Sequence, residues 1–168
     1  VDGLKRLYLI GGPMGVGKTT VCRALQRRLD RSVFLDGDWC WDAHPFQVTE
    51  ETKAMVMENI CFLLNRFLRC SAYDHVIFCW VLHQQAVLDG IRSRLDASGC
   101  EVRPVSLICT VPALTDRLEA DIRTGRRQQD ALARSLAYLP LYDKLDTEKL
   151  DVSCLTPEEA AACLEALP

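Results

Sequence analysis

The chain has 168 residues, of which 49% are hydrophobic and 26% charged, with 20 Lys and Arg against 23 Asp and Glu. This ordinary globular composition and a net charge of −3 argue against a disordered chain, a coiled coil and a broad nucleic-acid-binding surface. No apolar stretch reaches the roughly 18 residues that a membrane span requires. We therefore expect one globular domain over residues 1–168, with neither a nucleic-acid nor a membrane partner.

The nine cysteines are spread along the chain and never form a Cys-x-x-Cys pair. Zinc-ribbon and thioredoxin-type spacings are therefore absent. Most of the cysteines lie in apolar runs such as 76–81 and 105–111. We interpret them as small buried side chains of a cytoplasmic protein, kept reduced in that compartment.

Short apolar runs alternate with longer segments of helical periodicity, which is typical of βαβ units and a parallel sheet. Strands are expected at Arg6–Ile10, Ser32–Leu35, Asp74–Leu82, Val102–Thr110 and Leu150–Cys154. Helices are expected at Thr19–Leu29, 49–70, Gln84–Ala97, Pro112–Arg123, Asp130–Leu145 (with a break near Pro140) and from Thr156 onward. Helix-start signals are present at Thr49, which is followed by Glu50 and Glu51, and at Thr156, where Glu159 completes a capping box.

Residues 12–19, with the sequence GPMGVGKT, fit the phosphate-binding pattern G-x-x-x-x-G-K-[ST] between an expected strand and an expected helix. Glycines allow the backbone to turn its N–H groups toward phosphates, and the following helix directs its positive dipole end at them. Lys18 is expected to reach the β- and γ-phosphates and to act in catalysis, and the Thr19 hydroxyl to bind Mg²⁺. The predicted nucleotide-binding residues of this segment are Gly12, Met14, Gly15, Val16, Gly17, Lys18, Thr19 and Thr20.

Asp36-Gly37-Asp38 directly follows the second expected strand. Both carboxylates are therefore expected at the carboxyl edge of the sheet, where ligands of open α/β sheets bind. Asp38 is a candidate for accepting the proton of a substrate hydroxyl, and Asp36 for holding Mg²⁺ through water. A purely structural turn is the alternative, because Asp-Gly is common turn chemistry.

Four segments together resemble the small P-loop kinases of the nucleoside-monophosphate, shikimate and gluconate kinase type, a set that includes chloramphenicol phosphotransferase and tunicamycin-resistance-type proteins. They are residues 12–19, LDGD at 35–38, DRLEADIRTGRR at 116–127 and LDVSCLTPEEAA at 150–161. The resemblance covers essentially the whole chain. It implies a three-layer α/β/α P-loop NTPase fold with a five-stranded parallel sheet in the order 2-3-1-4-5, a small lid at about 123–130, and transfer of the γ-phosphoryl group of ATP, with Mg²⁺, to a small molecule.

The resemblance also assigns roles to the basic segment. In nucleotide kinases an arginine in the position of Arg117 lies against the adenine, and a second arginine often follows four residues later. This sequence has Asp121 there, so Arg123 is expected to take over that role. Arg123 and Arg127 are the predicted catalytic arginines of the lid, where they would neutralise charge on the transferred phosphoryl group. A solvated helix end is the alternative, because cations are favourable near a helix C-terminus.

The third expected strand, with the sequence VIFCWVLH, carries no Walker-B aspartate. Its absence disfavours motor-type ATPases and signalling GTPases. His83 ends that strand and is expected to face the cleft. Trp39, Trp41 and Trp80 are candidates for stacking on a flat acceptor, with core packing equally open for Trp80.

These features predict an ATP-dependent kinase that phosphorylates a nucleoside or nucleotide, a sugar acid or an antibiotic-like compound, and that is a monomer or a homodimer. Lys53 is the one Lys or Arg within residues 36–62, which favours a neutral hydroxyl acceptor over a nucleoside monophosphate. The alternative is a P-loop protein that binds nucleotide, hydrolyses it slowly and acts through a partner or by sequestering a ligand.

Overall fold

A computed structural model describes residues 3–168, and its strands form one parallel sheet. The strands are β1 (Lys5–Gly11), β2 (Ser32–Asp36), β3 (His75–Cys79), β4 (Cys100–Ile108) and β5 (Glu148–Asp151). Their order across the sheet is β2-β3-β1-β4-β5, which confirms the predicted topology. The loops after β1 and β2, which carry most of the predicted site residues, therefore lie at the same carboxyl edge of the sheet.

Within residues 3–168, six α-helices cover the two faces of the sheet, which confirms the three-layer architecture. They are α1 (Lys18–Arg28), α2 (Glu50–Arg69), α3 (Gln85–Arg94), α4 (Val111–Arg123), α5 (Ala131–Tyr138) and α6 (Pro157–Ala166). Side chains of β1 alternate between two cores: Tyr8 and Ile10 pack toward α1, α4 and α6, whereas Leu7 and Leu9 pack toward α2 and α3. This two-sided burial explains why the central strands are continuous apolar runs.

All five strands are shifted from the predicted boundaries, and two of them, β3 and β5, end three residues earlier than predicted. β3 ends at Cys79 rather than at Leu82, because the carbonyl of Val81 accepts hydrogen bonds from the Tyr142 hydroxyl and the Gly12 N–H, and Leu82 adopts a left-handed φ of 41°. β5 occupies Glu148–Asp151 rather than Leu150–Cys154. It stops there because the Asp151 carboxylate accepts from the N–H and hydroxyl of Ser153, which turns the chain.

The helix-start signals are confirmed at both positions. The Thr156 hydroxyl accepts from the N–H of Glu159, whose carboxylate accepts from the N–H of Thr156. Thr49 caps α2 in the same way, but its partner is Thr52 rather than a glutamate. The helical segment predicted over Asp130–Leu145 with a break near Pro140 is confirmed. Helix α5 gives way there to a 3₁₀ helix over Leu139–Lys144, because Pro140 has no N–H to continue the α-helical bonding.

None of the helices within residues 3–168 combines the length and apolarity needed to cross a bilayer. The nine cysteines are all free, and their burial corrects the expectation that they are uniformly internal. Four are buried, three are half-buried, and Cys154 and Cys163 are exposed.

Candidate functional site

The phosphate-binding loop joins β1 to α1 and has the backbone that its glycines predict. Gly15 and Gly17 have φ values of 86° and 100°, in the left-handed region that favours glycine. Lys18 begins α1 and folds back over the loop, where its Nζ donates to the carbonyls of Gly12 at 2.7 Å and Pro13 at 3.0 Å. Burial lowers the pKa of Lys18. The loop therefore presents a single ammonium group and the open N-terminus of α1 to the cleft.

The two carboxylates after β2 have different surroundings. Asp36 is buried, and its Oδ2 accepts from the Thr19 hydroxyl at 2.8 Å while its Oδ1 accepts from the N–H of Asp38 at 3.0 Å. Asp38 reaches solvent at the cleft. Desolvation and the charge of Asp36 raise the pKa of Asp38, whereas Lys18 and a hydrogen bond from the Trp80 side chain act in the opposite direction. Asp36 thus joins the acidic turn to the phosphate loop, and Asp38 is left free of side-chain ion pairs.

One cleft of about 570 Å³ contains most of the predicted site. Its lining residues come from the phosphate loop, the acidic turn, the end of β3, the lid and α5: Met14, Gly15, Gly17, Lys18, Thr19, Thr20, Asp36, Asp38, Trp80, Val81, Asp121, Arg126, Arg127, Arg134, Ser135 and Tyr138. Gly12 and Val16 lie behind this surface; Val16 is buried in the core and its carbonyl accepts from Arg117. The cleft therefore joins phosphate-binding and acidic groups that are far apart in the sequence.

The lid contributes a different set of arginines from the one predicted. Arg126 and Arg127 line the cleft, and both pair with Asp121, the latter at 3.2 Å between its Nε and Oδ2. Arg123 ends α4 and does not line the cleft. Arg134 of α5 lines it instead, and sequence reasoning missed it. Arg134 directly precedes Ser135, which contacts the phosphate loop, and its position at the cleft can be recognised only from the packing of α5 against that loop.

Arg117 of α4 is a brace between two loops. Its guanidinium donates to the carbonyls of Val16 at 3.1 Å and Val152 at 2.7 Å, and more weakly to that of Ser153. These bonds connect the phosphate loop to the segment between β5 and α6. The sequence did not predict this role, and the placement of Arg117 against an adenine stays a prediction.

Helix α5 is fastened to the phosphate loop by the buried Ser135, whose hydroxyl donates to the carbonyl of Met14 at 2.6 Å. We expect Ser135→Ala to lower the free energy of unfolding by about 1 kcal/mol, because the hydrogen bond from the buried Ser135 hydroxyl to the Met14 carbonyl is lost. Urea denaturation of this variant and of Ser93→Ala, an exposed serine on α3, separates the lost bond from the change in helix propensity. Equal stability of the two variants would contradict the fastening.

The other aromatic candidates lie in different places. His83 does not line the cleft; it stacks on Tyr138 with ring centroids 4.3 Å apart, and burial lowers its pKa. Trp39 packs edge-on against Phe34, and both Trp39 and Trp41 line a separate pocket of about 490 Å³. Trp80 is the one tryptophan that lines the main cleft.

Residues that could hold Mg²⁺ are the Thr19 hydroxyl and the Asp36 carboxylate. Their direct hydrogen bond places two hard oxygen donors at one point of the cleft, which suits an ion that takes one or two protein oxygens and completes its octahedron with water and phosphate. Within residues 3–168 there is no cluster of three His, Cys, Asp or Glu side chains arranged to hold a metal by protein groups alone.

Comparison with known proteins agrees with this fold. Residues 9–136 match the family described as AAA domain, and no curated protein matches the sequence. The solved tunicamycin resistance protein of Deinococcus radiodurans superposes with a TM-score of 0.72 at 19% identity, covering 98% of this chain and 97% of that one. A gluconokinase from Sinorhizobium meliloti 1021 gives 0.67 at 19% identity, covering 96% and 93%.

Shikimate kinase from Acinetobacter baumannii, solved in complex with shikimate, has a TM-score of 0.62 at 22% identity and covers 98% of this chain and 92% of that one. TM-scores of 0.62–0.72 over more than nine-tenths of each chain show a shared fold. Together with the family match, which spans more than half of the chain, they show that the chain belongs to the AAA domain family and has the fold of the small P-loop kinases.

Proposed function

We propose that the protein transfers the γ-phosphoryl group of ATP to a hydroxyl of a small molecule. The observation that carries this proposal is the presence of the Lys18 ammonium group and the Asp38 carboxylate in one cleft, together with the buried Asp36. A site for hydrolysis alone has no need of a second, solvent-accessible carboxylate beside the phosphate loop. A carboxylate of raised pKa in that position suits proton acceptance from an alcohol near neutral pH.

The proposed reaction uses the groups of the cleft in distinct ways. Asp38 accepts the proton of the acceptor hydroxyl while the oxygen of that hydroxyl bonds to the γ-phosphorus. The bond from the γ-phosphorus to the β,γ-bridging oxygen breaks, which releases ADP. Lys18 and the arginines of the lid, Arg126 and Arg127, stabilise the negative charge on the transferred group. Mg²⁺ held by Thr19 and Asp36 would neutralise charge on the β- and γ-phosphates.

The structural neighbours support phosphoryl transfer in general and differ in what they act on. Gluconokinase and shikimate kinase are named for hydroxyl-bearing acids, and the tunicamycin resistance protein for an antibiotic. All three span essentially the same fold as this chain, so the acceptor has to be deduced from this cleft's own walls. The contact of Arg117 with the nucleotide base remains a proposal that rests on the resemblance to nucleotide kinases, since in this structure its guanidinium braces the phosphate loop against the segment after β5.

The proposal is tested by ADP release from Mg-ATP in the presence of nucleosides, nucleotides, sugar acids, aminoglycosides and chloramphenicol-like or tunicamycin-like compounds. We expect one acceptor class to raise turnover well above the rate with ATP alone. Mass spectrometry of the acceptor should then show the added phosphoryl group. Nucleotide-dependent stabilisation without any acceptor-dependent ADP release would instead favour a P-loop protein that acts by binding.

A further inference from the structure

Trp80 lies between the acidic turn that carries Asp38 and the phosphate-binding loop. It directly follows β3, which sits in the sheet between β2, the strand that leads to Asp38, and β1, the strand that leads to the phosphate loop. The Trp80 N–H donates to the carbonyl of Ile10 at 3.1 Å, so its backbone continues the β1 pairing. Its side chain is half-buried and lines the cleft beside Asp38. At this position the chain has an indole ring where a Walker-B carboxylate would otherwise be expected.

The ring is held in place from both sides. A Cβ added to Gly37 would lie 2.5 Å from Cγ and 2.7 Å from Cδ1 of Trp80, so the glycine is needed for the ring to approach the acidic turn. The residue after Trp80 is anchored as well, because the Val81 carbonyl accepts from the Tyr142 hydroxyl at 2.6 Å and from the Gly12 N–H at 3.3 Å. The indole is therefore a rigid wall and not a mobile surface side chain.

The charges of the cleft divide between its two sides. The cations Lys18, Arg126, Arg127 and Arg134 belong to the phosphate loop, the lid and α5. On the side of β2 and α2, Lys53 is the one Lys or Arg within residues 36–62, and it pairs with Glu50 on the exposed surface. An anionic group placed beside Trp80 would meet the charges of Asp36 and Asp38, whereas the cations whose charges act on Asp38, Lys18 and Arg127, are those that the proposed reaction assigns to the transferred phosphoryl group.

We propose, on the basis of the function proposed above, that Trp80 is the acceptor-facing wall and that the acceptor carries a flat, uncharged ring next to the hydroxyl that is phosphorylated. Stacking on the indole would orient that hydroxyl toward Asp38. Trp80 is thus a specificity residue for the acceptor and not for ATP. Among the three tryptophans that the sequence offered for stacking, it is the one that the fold brings to Asp38.

The first test needs no turnover. In the variant Trp39→Phe/Trp41→Phe, Trp80 is the sole tryptophan, because the chain has three, and the two replaced residues lie outside the cleft. Tryptophan emission is then followed, with Mg-ADP present, during titration with flat uncharged probes (uridine, adenosine and a chloramphenicol-like aromatic alcohol) and with the charged acids gluconate and shikimate. We expect saturable quenching by at least one flat probe and none by the acids.

The second test is kinetic and uses the acceptor found by the ADP-release assay. Trp80→Leu should raise the KM for that acceptor about tenfold and leave the KM for ATP within about twofold, because the loss of ring stacking affects one substrate. Trp80→Phe, which keeps a flat ring, should restore most of the acceptor affinity. Trp41→Phe is the matched control, since it removes an indole from the neighbouring pocket. If Trp80→Leu does not fold, the phenylalanine variant and the fluorescence titration still decide the question.

Each outcome bears on one proposal. Quenching by flat probes without any acceptor-dependent ADP release would support the assignment of Trp80 and overturn phosphoryl transfer. A charged acid as the acceptor, with Trp80 emission unchanged, would support phosphoryl transfer and overturn the assignment of Trp80. Equal rises in the KM for ATP and for the acceptor in Trp80→Leu would also overturn it, because the residue would then act on the site as a whole.

Discussion

Replacement of Lys18 by alanine should reduce kcat by about 10²–10³-fold, the size of effect that removal of one positioned donor has on a charged transition state. The Nζ atom now donates to the Gly12 and Pro13 carbonyls, at the centre of the phosphate loop. Affinity for Mg-ATP should fall as well, because the ammonium group is the loop's one side-chain cation. The measurements are steady-state ADP release and the thermal stabilisation of the protein by Mg-ATP.

Lys53→Ala is the control for this variant, since Lys53 is an exposed residue of α2 that pairs with Glu50 outside the cleft. It should have wild-type turnover. A Lys18→Ala enzyme with the same kcat as the Lys53→Ala enzyme would show that the loop does not bind the transferred phosphate.

The replacement Asp38→Asn should lower phosphoryl transfer by about 10²–10⁴-fold, the range that a positioned general base supplies, while ATP binding is retained. The amide keeps the size of the side chain and cannot take the acceptor's proton. Among residues 3–168 no cationic side chain forms an ion pair with the exposed Asp38, so the substitution removes little that holds the fold. Acceptor phosphorylation and Mg-ATP binding are measured on the same preparation.

Asp42→Asn provides the matched control, because it makes the same change of charge in the neighbouring pocket formed by the loop before α2. Its transfer rate should equal that of the wild type. Equal transfer rates for Asp38→Asn and Asp42→Asn would show that Asp38 is not the general base and that the acidic turn has a structural role.

Sequence reasoning was most successful where one short segment determines its own geometry. Gly15, Gly17, Lys18 and Thr19 lie within five consecutive residues, and the backbone conformation of the two glycines follows from the residue type, so the shape of the phosphate loop could be predicted. The capping box at Thr156 is another local pattern of this kind. The parallel order of the strands followed from the resemblance to small P-loop kinases, and the structure confirms it.

Tertiary structure alone decided which side chains of distant segments meet. The sequence favoured Trp39 and Trp41 for stacking because they lie in the loop beside Asp38, whereas Trp80 lay in an expected strand with core packing equally open. In the structure Trp80 lines the cleft, packed closely against Gly37, and the other two line a separate pocket. Likewise Arg134 reaches the cleft, and Arg123 does not, because Ser135 fastens α5 to the phosphate loop.

The physical reason is the range of the interactions. Backbone conformation and helix caps depend on residues within a few positions of each other, so the sequence by itself determined the phosphate loop, the strands buried on both faces and the acidic turn. The cleft depends on hydrogen bonds between segments far apart in the chain, such as Thr19 to Asp36 and Tyr142 to Val81, whose registers are set by the packing of the whole domain.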